Sequence, residues 1–377
     1  MARRVELYDA AACQKAVART SDWVAHSLNE RSMRDPHFVA FGMYKALAAF
    51  KAVGATAQTL ALVKSLSDLS FATSEFHPCA GAVATSRVGA RFSDIGSRAY
   101  LLALKRPLGL ARTYRSAWFA AGTSIVGANE LATPAIAHLE TKIHERLGAV
   151  ANNSTYLPDQ AVYDLGSNAC AVYALLTANR VEAAVRIGEF LSRQILDQPA
   201  TATQICLAVD SSGKPIASER TGKIAKRIYF FDVGVEDQVY WPLGFLLRAF
   251  AQLFQVTRQP RWLVPPQRIL RWLERSHSDA MSRITSAKLA WGAAHMFNAT
   301  GDERWATVAQ DAAEHIVKTQ SANGIWKRPD LPAVLRQPMV VTVDTALERM
   351  FYLSEIPNLL DGFTEPSRPS QVSAPHR

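Results

Sequence analysis

Apolar residues recur at helical spacing along most of this chain, and the helices that they predict come in pairs. In the first clear pair, Asp35 as N-cap and Pro36 in the first turn open a strongly apolar helix that runs to about Val53. A turn at Gly54 leads into a more amphipathic helix over residues 55–69. We interpret an apolar helix, a turn and an amphipathic helix in this order as one helical hairpin.

The same change from an apolar to an amphipathic helix occurs six times along the chain. The turns between the two helices are centred on Gly54, Gly89, Gly127, Asn179, Thr257 and Gly301. Two later copies, Phe254–Trp262 and Phe297–Trp305, are also similar beyond the turn and begin 43 residues apart. Repeats of this kind, each one helical hairpin, are typical of helical solenoids and of closed helical toroids.

The two ends of the chain favour a closed ring over an open solenoid. The amphipathic helix over residues 8–28 has no apolar partner before it, and the apolar helix from Thr345 to about Leu353 has no amphipathic partner after it. Pairing these helices closes a ring of seven hairpins, or of six if the first helix is an added outer element. We therefore predict an all-α (α/α)6–7 toroid, in a single domain over residues 1–363.

One segment interrupts the helical rhythm. Alternating and β-branched residues over Thr203–Asp210, a Ser-Ser-Gly turn and the following Lys214–Ser218 predict a β-hairpin. We expect an insertion at about residues 202–232 that covers the ring as a lid. Residues 364–377 are rich in proline and serine, and we expect this tail to be disordered.

Composition excludes several classes of protein. Of the 377 residues 49% are hydrophobic, yet no uninterrupted apolar run is long enough to span a membrane. The N-terminus lacks an apolar signal segment because Glu6 and Asp9 interrupt it, which favours a cytoplasmic location. The net charge of +9 comes from dispersed basic residues with no nucleic-acid-binding motif. The four cysteines lack metal-site or disulfide spacing, and we interpret them as reduced thiols.

Basic residues concentrate between Lys214 and Arg227, directly before the strand-like run that leads into the helix from Trp241. This concentration allows an anionic small molecule as the partner. A solvated basic loop is the alternative interpretation.

Several short motifs resemble a known superfamily. They are Tyr44-Lys45, Phe92–Gly96, Lys288–Gly292, Ala299–Asp302 and Thr319–Trp326, the last being similar to the Gln-x-x-x-Gly-x-Trp turns of cyclases. Over most of residues 35–355 the chain resembles the α/α-toroid proteins of the terpenoid-cyclase and protein-prenyltransferase superfamily, in particular its small squalene-cyclase-like members. The resemblance implies a central cavity that holds a small, largely apolar molecule.

The chain also departs from that superfamily at its reactive positions. The aspartate-rich motif of class II cyclases is matched only by Val341-Thr-Val-Asp344-Thr-Ala346, in which Val343 replaces the acid. The Asp-Asp-x-x-Asp cluster of diphosphate-ionising enzymes is absent. None of the nine histidines has the spacing of a zinc site. We therefore expect a site without metal or cofactor.

In a toroid, the starts of the inner helices and the loops before them line the mouth of the cavity. This placement selects Asp237, Lys288, His77 and Asp344 as candidate acid–base residues. The candidate substrate-binding side chains are Tyr44, His37, Tyr114, Trp118, Tyr163, Tyr240, Trp241 and Trp291.

Each assignment has a structural alternative. Asp237 is equally suited to stabilise the start of a helix, and Lys288 to pair with a nearby carboxylate. Thr345 and Glu348 have the spacing of a capping box, which we favour over catalysis for Glu348. Aromatic residues at helical spacing are more often core than ligand contacts.

The combined hypothesis is an enzyme: a metal-independent acid–base isomerase, cyclase or lyase acting on a small terpenoid- or polyketide-type metabolite. A carbohydrate-active toroid, such as a sugar epimerase or a uronate-processing lyase, is the second hypothesis. The third is a non-catalytic ligand-binding scaffold, which a cavity filled by side chains would favour.

Overall fold

The computed structural model describes residues 9–28, 42–71, 110–152, 161–218, 223–327 and 339–362. Helices dominate these ranges, and the few strands are two or three residues long. In chain order the described helices are α1 (Ala10–Ser27), α2 (Ala46–Ala52), α3 (Thr56–Phe71), α4 (Leu110–Ile125), α5 (Asn129–Thr141), α6 (Leu165–Thr177), α7 (Val181–Leu196), α8 (Lys223–Tyr229), α9 (Trp241–Thr257), α10 (Val264–Glu274), α11 (Ala287–Thr300), α12 (Glu303–Lys318) and α13 (Met339–Asp361).

Six of these helices form a closed inner ring. Around it, α2 packs on α4, α4 on α6, α6 on α9, α9 on α11, α11 on α13, and α13 again on α2. Outside them, α3, α5, α7, α10 and α12 each pack on the inner helix that precedes them, and α1 packs on α13. The predicted pairing of the first and last helices is therefore confirmed, and it closes the ring with six hairpins in the described part of the chain. The junction predicted at Gly89 lies outside the described residues.

The burial of each helix follows its sequence pattern. In α6 every residue from Leu165 to Leu176 is buried, because an inner helix is surrounded by other helices on most sides. In α7 the buried residues are confined to one stripe that includes Ile187, Leu191 and Ile195. This difference explains why the inner helix α6 is apolar on most sides and the outer helix α7 is amphipathic.

The predicted turns end the inner helices. Gly54, Gly127 and Gly301 have positive φ angles of 71°, 72° and 69°, a backbone region in which glycine is favoured. Asn179 and Arg258 take the same conformation with φ of 58° and 57°. The turn predicted at Thr257 thus centres one residue later.

Helices α9 and α11 approach each other most closely at a pair of glycines. A β-carbon added to Gly292 would meet the backbone carbonyl of Gly244, and one added to Gly244 would meet the backbone of Lys288. Backbone-to-backbone contact at this crossing places the first turns of both helices side by side.

The inserted segment is smaller and more divided than the predicted hairpin. Strands β1 (Tyr163–Asp164) and β3 (Ala208–Val209) form one antiparallel pair, and β2 (Gln204–Cys206) and β4 (Phe230–Asp232) form another. The predicted turn is present, since the Asp210 amide donates to the Lys214 carbonyl at 2.9 Å.

The arm predicted over residues 203–210 therefore pairs with strands on either side of it. Beyond the turn, it contacts the predicted second arm through a bridge between Val209 and Pro215 and a bond from the Ile216 amide to the Ala208 carbonyl. The expected tail, residues 364–377, lies outside the described residues.

Two further predictions can be compared with the structure. The last inner helix begins at Met339, six residues before the predicted start, so Thr345 and Glu348 lie in its interior and the capping-box interpretation is wrong. Among the described helices, none is long and apolar enough to cross a membrane.

Candidate functional site

The two ends of the ring differ in their connections. The turns that leave the inner helices are two to six residues long, whereas the connections that lead into them are longer. Loops on a rigid scaffold carry most functional residues. The start of the inner helices is therefore the end at which a site is expected.

Four charged side chains meet at this end of the ring. Lys45 directly precedes α2, Lys288 lies in the first turn of α11, and Asp344 and Glu348 are one turn apart on α13. The Lys45 ammonium lies 2.9 Å from Asp344 Oδ1 and also contacts Glu348 Oε2, while Lys288 Nζ donates to Glu348 Oε1 at 2.5 Å. We call these four residues the charged cluster.

Burial makes the charged cluster electrostatically unusual. The exposed fractions of the side chains are 2% for Lys45, 12% for Lys288, 11% for Glu348 and 18% for Asp344. Burial lowers the pKa of Lys288 to about 8, because Glu348 opposes this effect only in part and Lys45 adds to it. The pKa of Lys45 is raised, because Asp344 and Glu348 outweigh its burial. Burial alone would raise the pKa of Glu348, but the two ammonium groups lower it to about 2.

Tyrosines surround the cluster on the side of α2 and α4. Lys45 Nζ lies 4.9 Å from the ring centroid of Tyr44 and 5.7 Å from that of Tyr114, and the two rings pack edge to face at 6.0 Å. Burial raises the pKa of both phenols well above 10, so both keep their protons. The Tyr114 hydroxyl has no hydrogen-bond partner among the described residues. Trp241, half-buried, packs against the Tyr114 ring at 5.5 Å.

A layer of aromatic rings fills the interior of the inner ring beyond the charged cluster. Trp118 and Trp291 are fully buried and stack at 6.2 Å, and Trp291 also stacks on Tyr352 at 5.0 Å. Tyr173, Phe245 and Phe351 pack edge to face around them. We call these six residues the aromatic layer. Two of its members, Trp118 and Trp291, are predicted substrate-binding residues, and their rings pack on each other.

Polar side chains lie beyond the aromatic layer as well. His295 and Glu355 each follow a member of the charged cluster by seven residues on the same helix, or two turns and roughly 10 Å. His295 Nε2 lies 3.7 Å from Glu355 Oε2, which accepts a hydrogen bond from Trp291 Nε1 at 2.6 Å. Burial and the nearby Arg248 lower the pKa of His295 to about 4, so its imidazole is neutral at physiological pH.

Asp237 belongs to a different set of contacts, at the surface before α9. Its side chain is 48% exposed and pairs with Arg227 at 2.9 Å and with Arg283, and its amide donates to Asp279 at 2.9 Å. Pro242 occupies the first turn of α9, as predicted. None of these contacts involves the charged cluster.

The remaining predicted site residues lie in the protein core, in a short strand, or outside the described residues. The Tyr240 hydroxyl donates to Asp279 at 3.4 Å and its ring packs on Phe231. Tyr163 lies in β1 with its ring against His144. His37 and His77 lie outside the described residues. The predicted residues that the structure brings together at the charged cluster and the rings beside it are thus Lys288, Asp344, Tyr44, Tyr114 and Trp241.

Lys45, Glu348 and Arg248 received no catalytic or binding role from the sequence. A signal was present for Lys45 and Arg248, because each interrupts a strongly apolar helical run where a charged residue needs a partner. Within the described ranges, no group of three His, Cys, Asp or Glu side chains is arranged to hold a metal ion.

The architecture can be compared with that of known proteins. No protein-family profile matches the sequence, and no curated protein matches it either. Among solved structures, the chain is similar to an unsaturated glucuronyl hydrolase specific for heparin, with a TM-score of 0.59 and 10% identity over 93% of this chain and 97% of that chain. The chain described here therefore has the α/α-toroid fold.

A second solved structure has the same architecture. It is an inactive variant of the α-1,6-mannanase GH76A of Salegentibacter sp. HEL1_6 in complex with α-1,6-mannotriose, with a TM-score of 0.51 and 11% identity over 93% of this chain and 99% of that chain. At such identities the likeness shows the fold alone. Neither structure is a terpenoid cyclase, so the comparisons do not show membership of that superfamily.

Proposed function

We propose that this toroid is an acid–base isomerase or lyase that acts on a carbohydrate, with the charged cluster as its reactive centre. The observation that carries the proposal is the buried bridge in which Lys45 and Lys288 share the Glu348 carboxylate, with Asp344 beside it. This arrangement lies where the long connections enter the inner ring, and three of its four side chains keep some exposure to solvent.

The chemistry of the cluster favours a hydroxylated substrate over a terpenoid or polyketide. An apolar molecule would have to cover two ammonium groups and two carboxylates without offering them hydrogen bonds, which is unfavourable. Sugar hydroxyls both donate and accept, so they match ammonium, carboxylate and phenol groups in turn. Trp241 and the two tyrosines supply apolar surface against which a sugar ring can pack.

The structural neighbours support the same substrate class. The names of both describe carbohydrate-active proteins, one acting on a glucuronyl group and the other bound to a mannose trisaccharide. This support is at the level of the fold, and the substrate class rests on the cluster itself.

The protonation states favour proton transfer at carbon over glycoside hydrolysis. Hydrolysis usually needs a protonated carboxyl group as the acid, but Glu348, with a pKa of about 2, is ionised at neutral pH. Lys288, with a pKa of about 8, exchanges protons readily near neutrality and is better matched to act as the base. We propose that neutral Lys288 removes a proton next to a carbonyl or carboxylate, and that Lys45 stabilises the negative charge that develops.

The same residues would complete either an isomerisation or an elimination. Returning the proton from Lys288 to a different carbon gives an isomer. Delivery of a proton from a tyrosine hydroxyl to the opposite face, while Lys288 keeps the proton that it removed, gives an epimer. Loss of a leaving group at the neighbouring carbon, with a proton from a tyrosine hydroxyl, gives an unsaturated product. Tyr44 and Tyr114 carry their protons at the start of the reaction and are the proposed donors in the last two cases.

A ligand-binding scaffold is the second candidate, and the aromatic layer is the observation that favours it. The rings of Trp118 and Trp291 have no exposed surface, so the interior at this depth is occupied by side chains. The cluster lies on the outer side of that layer, so the proposed chemistry lies at the mouth.

Hydrogen–deuterium exchange at carbon tests the proposal whichever direction the reaction takes. Purified protein is incubated in D₂O with a panel of sugars and uronates, and proton NMR follows the loss of carbon-bound protons and the appearance of alkene signals. We expect exchange with at least one member of the panel and at least a hundredfold loss of rate in Lys288→Met. Lys318→Met is the matched control, because Lys318 forms an exposed ion pair with Glu314 on α12.

Two outcomes would contradict the proposal. Saturable sugar binding without exchange would favour the scaffold, and exchange that survives in Lys288→Met would remove this lysine from the reaction. Asp237→Asn, measured in the same assay, tests whether the surface network takes part in the chemistry.

A further inference from the structure

Arg248 is a buried cation without a direct counter-charge among the described residues. It lies in the middle of α9, its exposed fraction is 8%, and no carboxylate of the described residues forms an ion pair with it. Its Nε and Nη1 atoms are buried without a hydrogen-bond acceptor in the part of the chain that the structure describes. A guanidinium stays charged in proteins, so burying it in this way is unfavourable unless another group supplies the acceptors.

The neighbours of Arg248 compensate its charge only in part. The guanidinium carbon lies 4.9 Å from the Tyr173 ring centroid and 5.1 Å from that of Trp291, two cation–π contacts. The nearby carboxylate, Glu355, accepts a hydrogen bond from Trp291 and lies beside His295. These contacts leave the Nε and Nη1 atoms without a hydrogen-bond acceptor among the described residues.

Further unpaired polar atoms lie close to Arg248. Gln252 follows it by one helical turn on the same face, and its Oε1 atom is buried without a partner among the described residues. The Nε2 atom of His295 is also buried, and its 3.7 Å separation from Glu355 is longer than a hydrogen bond. When hydrogen-bond donors and acceptors without partners lie close together, they indicate a binding site for a ligand that carries both donors and acceptors.

We propose that Arg248, Gln252 and His295 form a second binding subsite, which takes the carboxylate of a small hydroxylated acid. The carboxylate oxygens accept from the guanidinium, and a hydroxyl of the same ligand donates to Gln252. The subsite lies on the far side of the aromatic layer from the charged cluster, so it goes beyond the proposed reaction and does not depend on it. The Glu355 side chain is 34% exposed, which places solvent within reach of this layer.

The charge balance favours a carboxylate over a phosphate. One guanidinium matches one negative charge, and Glu355 is close enough to repel a dianion. A neutral sugar would satisfy the hydrogen bonds but would leave the charge of Arg248 only partly compensated. The ligand class is therefore a monoanionic hydroxy acid, of which a uronate is one example.

Ligand titrations with the whole protein test this subsite. The probes are glucuronate, acetate, glucose and inorganic phosphate at constant ionic strength, with affinity measured by calorimetry and the melting temperature followed in parallel. We expect glucuronate to bind and to raise the melting temperature, acetate to bind more weakly, and phosphate to have no saturable effect. Any binding of glucose should be the same in the wild type and in Arg248→Gln. Arg248→Gln should weaken glucuronate binding at least tenfold. Arg271→Gln, on the exposed side of α10, should leave it unchanged.

Three results would overturn the proposal. The first is a wild-type protein that gives no carboxylate response, and the second is an equal response to phosphate. The third is glucuronate binding that survives in Arg248→Gln but is lost in Lys288→Met, which places the anion at the charged cluster and leaves the proposed function standing. If Arg248→Gln does not fold, Arg248→Lys keeps the charge but loses the planar donors, and its affinity should again fall at least tenfold.

Discussion

Glu348 accepts hydrogen bonds from two lysines at once, from Lys288 Nζ at 2.5 Å through Oε1 and from Lys45 Nζ through Oε2. Lys45 and Glu348 are 303 residues apart in sequence. Their contact lies where the first and last inner helices, α2 and α13, meet. The proposed reactive centre therefore also lies at the contact between α2 and α13 that closes the ring.

Replacing Glu348 by glutamine should destabilise the protein strongly. The substitution leaves Lys288 without its carboxylate and Lys45 with Asp344 alone, and breaking a buried pair in this way costs about 3–5 kcal/mol. Urea denaturation measures the free energy of unfolding. Glu314→Gln is the control, because the exposed Glu314–Lys318 pair contributes about 0.5 kcal/mol or less. Equal losses in the two variants would show that the shared carboxylate has no special role in stability.

The reaction rate should rise with pH through the pKa of Lys288. The proposed base acts in its neutral form, and burial lowers its pKa to about 8. We therefore expect kcat/KM to increase about tenfold per pH unit below pH 8 and to level off above it. The D₂O exchange assay, repeated across pH 6 to 10, gives this profile. A rate that is constant or falls over that range would contradict a lysine base.

The ring was predictable from the sequence because its signals are local. An inner helix such as α6 is apolar on most sides, and turns at Gly54, Gly127 and Gly301 mark where direction reverses. These features repeat, so the architecture follows from counting them. Closure followed from the unpaired helices at the two ends, which the structure joins as α1 and α13.

The charged cluster was not predictable in the same way. The sequence placed Lys288 and Asp344 near the mouth, but the contact of Lys45 with Glu348 depends on ring closure across almost the whole chain. The spacing of Thr345 and Glu348 resembled a capping box, and only the start of α13 at Met339 shows otherwise. A local sequence pattern does not show which side chains are in contact across the ring.

The aromatic residues illustrate the same limit. Their helical spacing made Trp118 and Trp291 candidates for contact with a substrate in the cavity, and in the structure the two rings stack on each other. Whether inward-facing rings line an open cavity or fill it depends on their sizes and rotamers in six different helices. The packing of the side chains determines this, and the spacing of the aromatic residues along the sequence does not show it.

A β-carbon at Gly292 should destabilise the inner ring. Helix propensity alone predicts that Gly292→Ala is stabilising by about 0.5–1 kcal/mol. The close approach of α9 predicts the opposite, because the added carbon would meet the Gly244 carbonyl and force the two helices apart, at a cost of roughly 1–3 kcal/mol. Thermal and urea denaturation distinguish the two signs. A more stable variant would show that α9 and α11 cross with space between them.

The stability of the protein should fall as pH decreases from 7 to 5, with His295 as a main cause. Burial and Arg248 lower the pKa of His295 to about 4, while an unfolded histidine titrates near 6.5. Between these values the unfolded chain binds a proton that the folded chain does not. The free energy of unfolding therefore rises with pH in this window, by about 2 kcal/mol from pH 5 to pH 7.

Urea denaturation of the wild type and of His295→Gln at both pH values isolates this contribution, which the variant should lose. His26→Gln, at an exposed position of α1, should keep the wild-type slope. The same slope in His295→Gln as in the wild type would mean that this imidazole gains its proton as easily in the folded protein as in the unfolded chain.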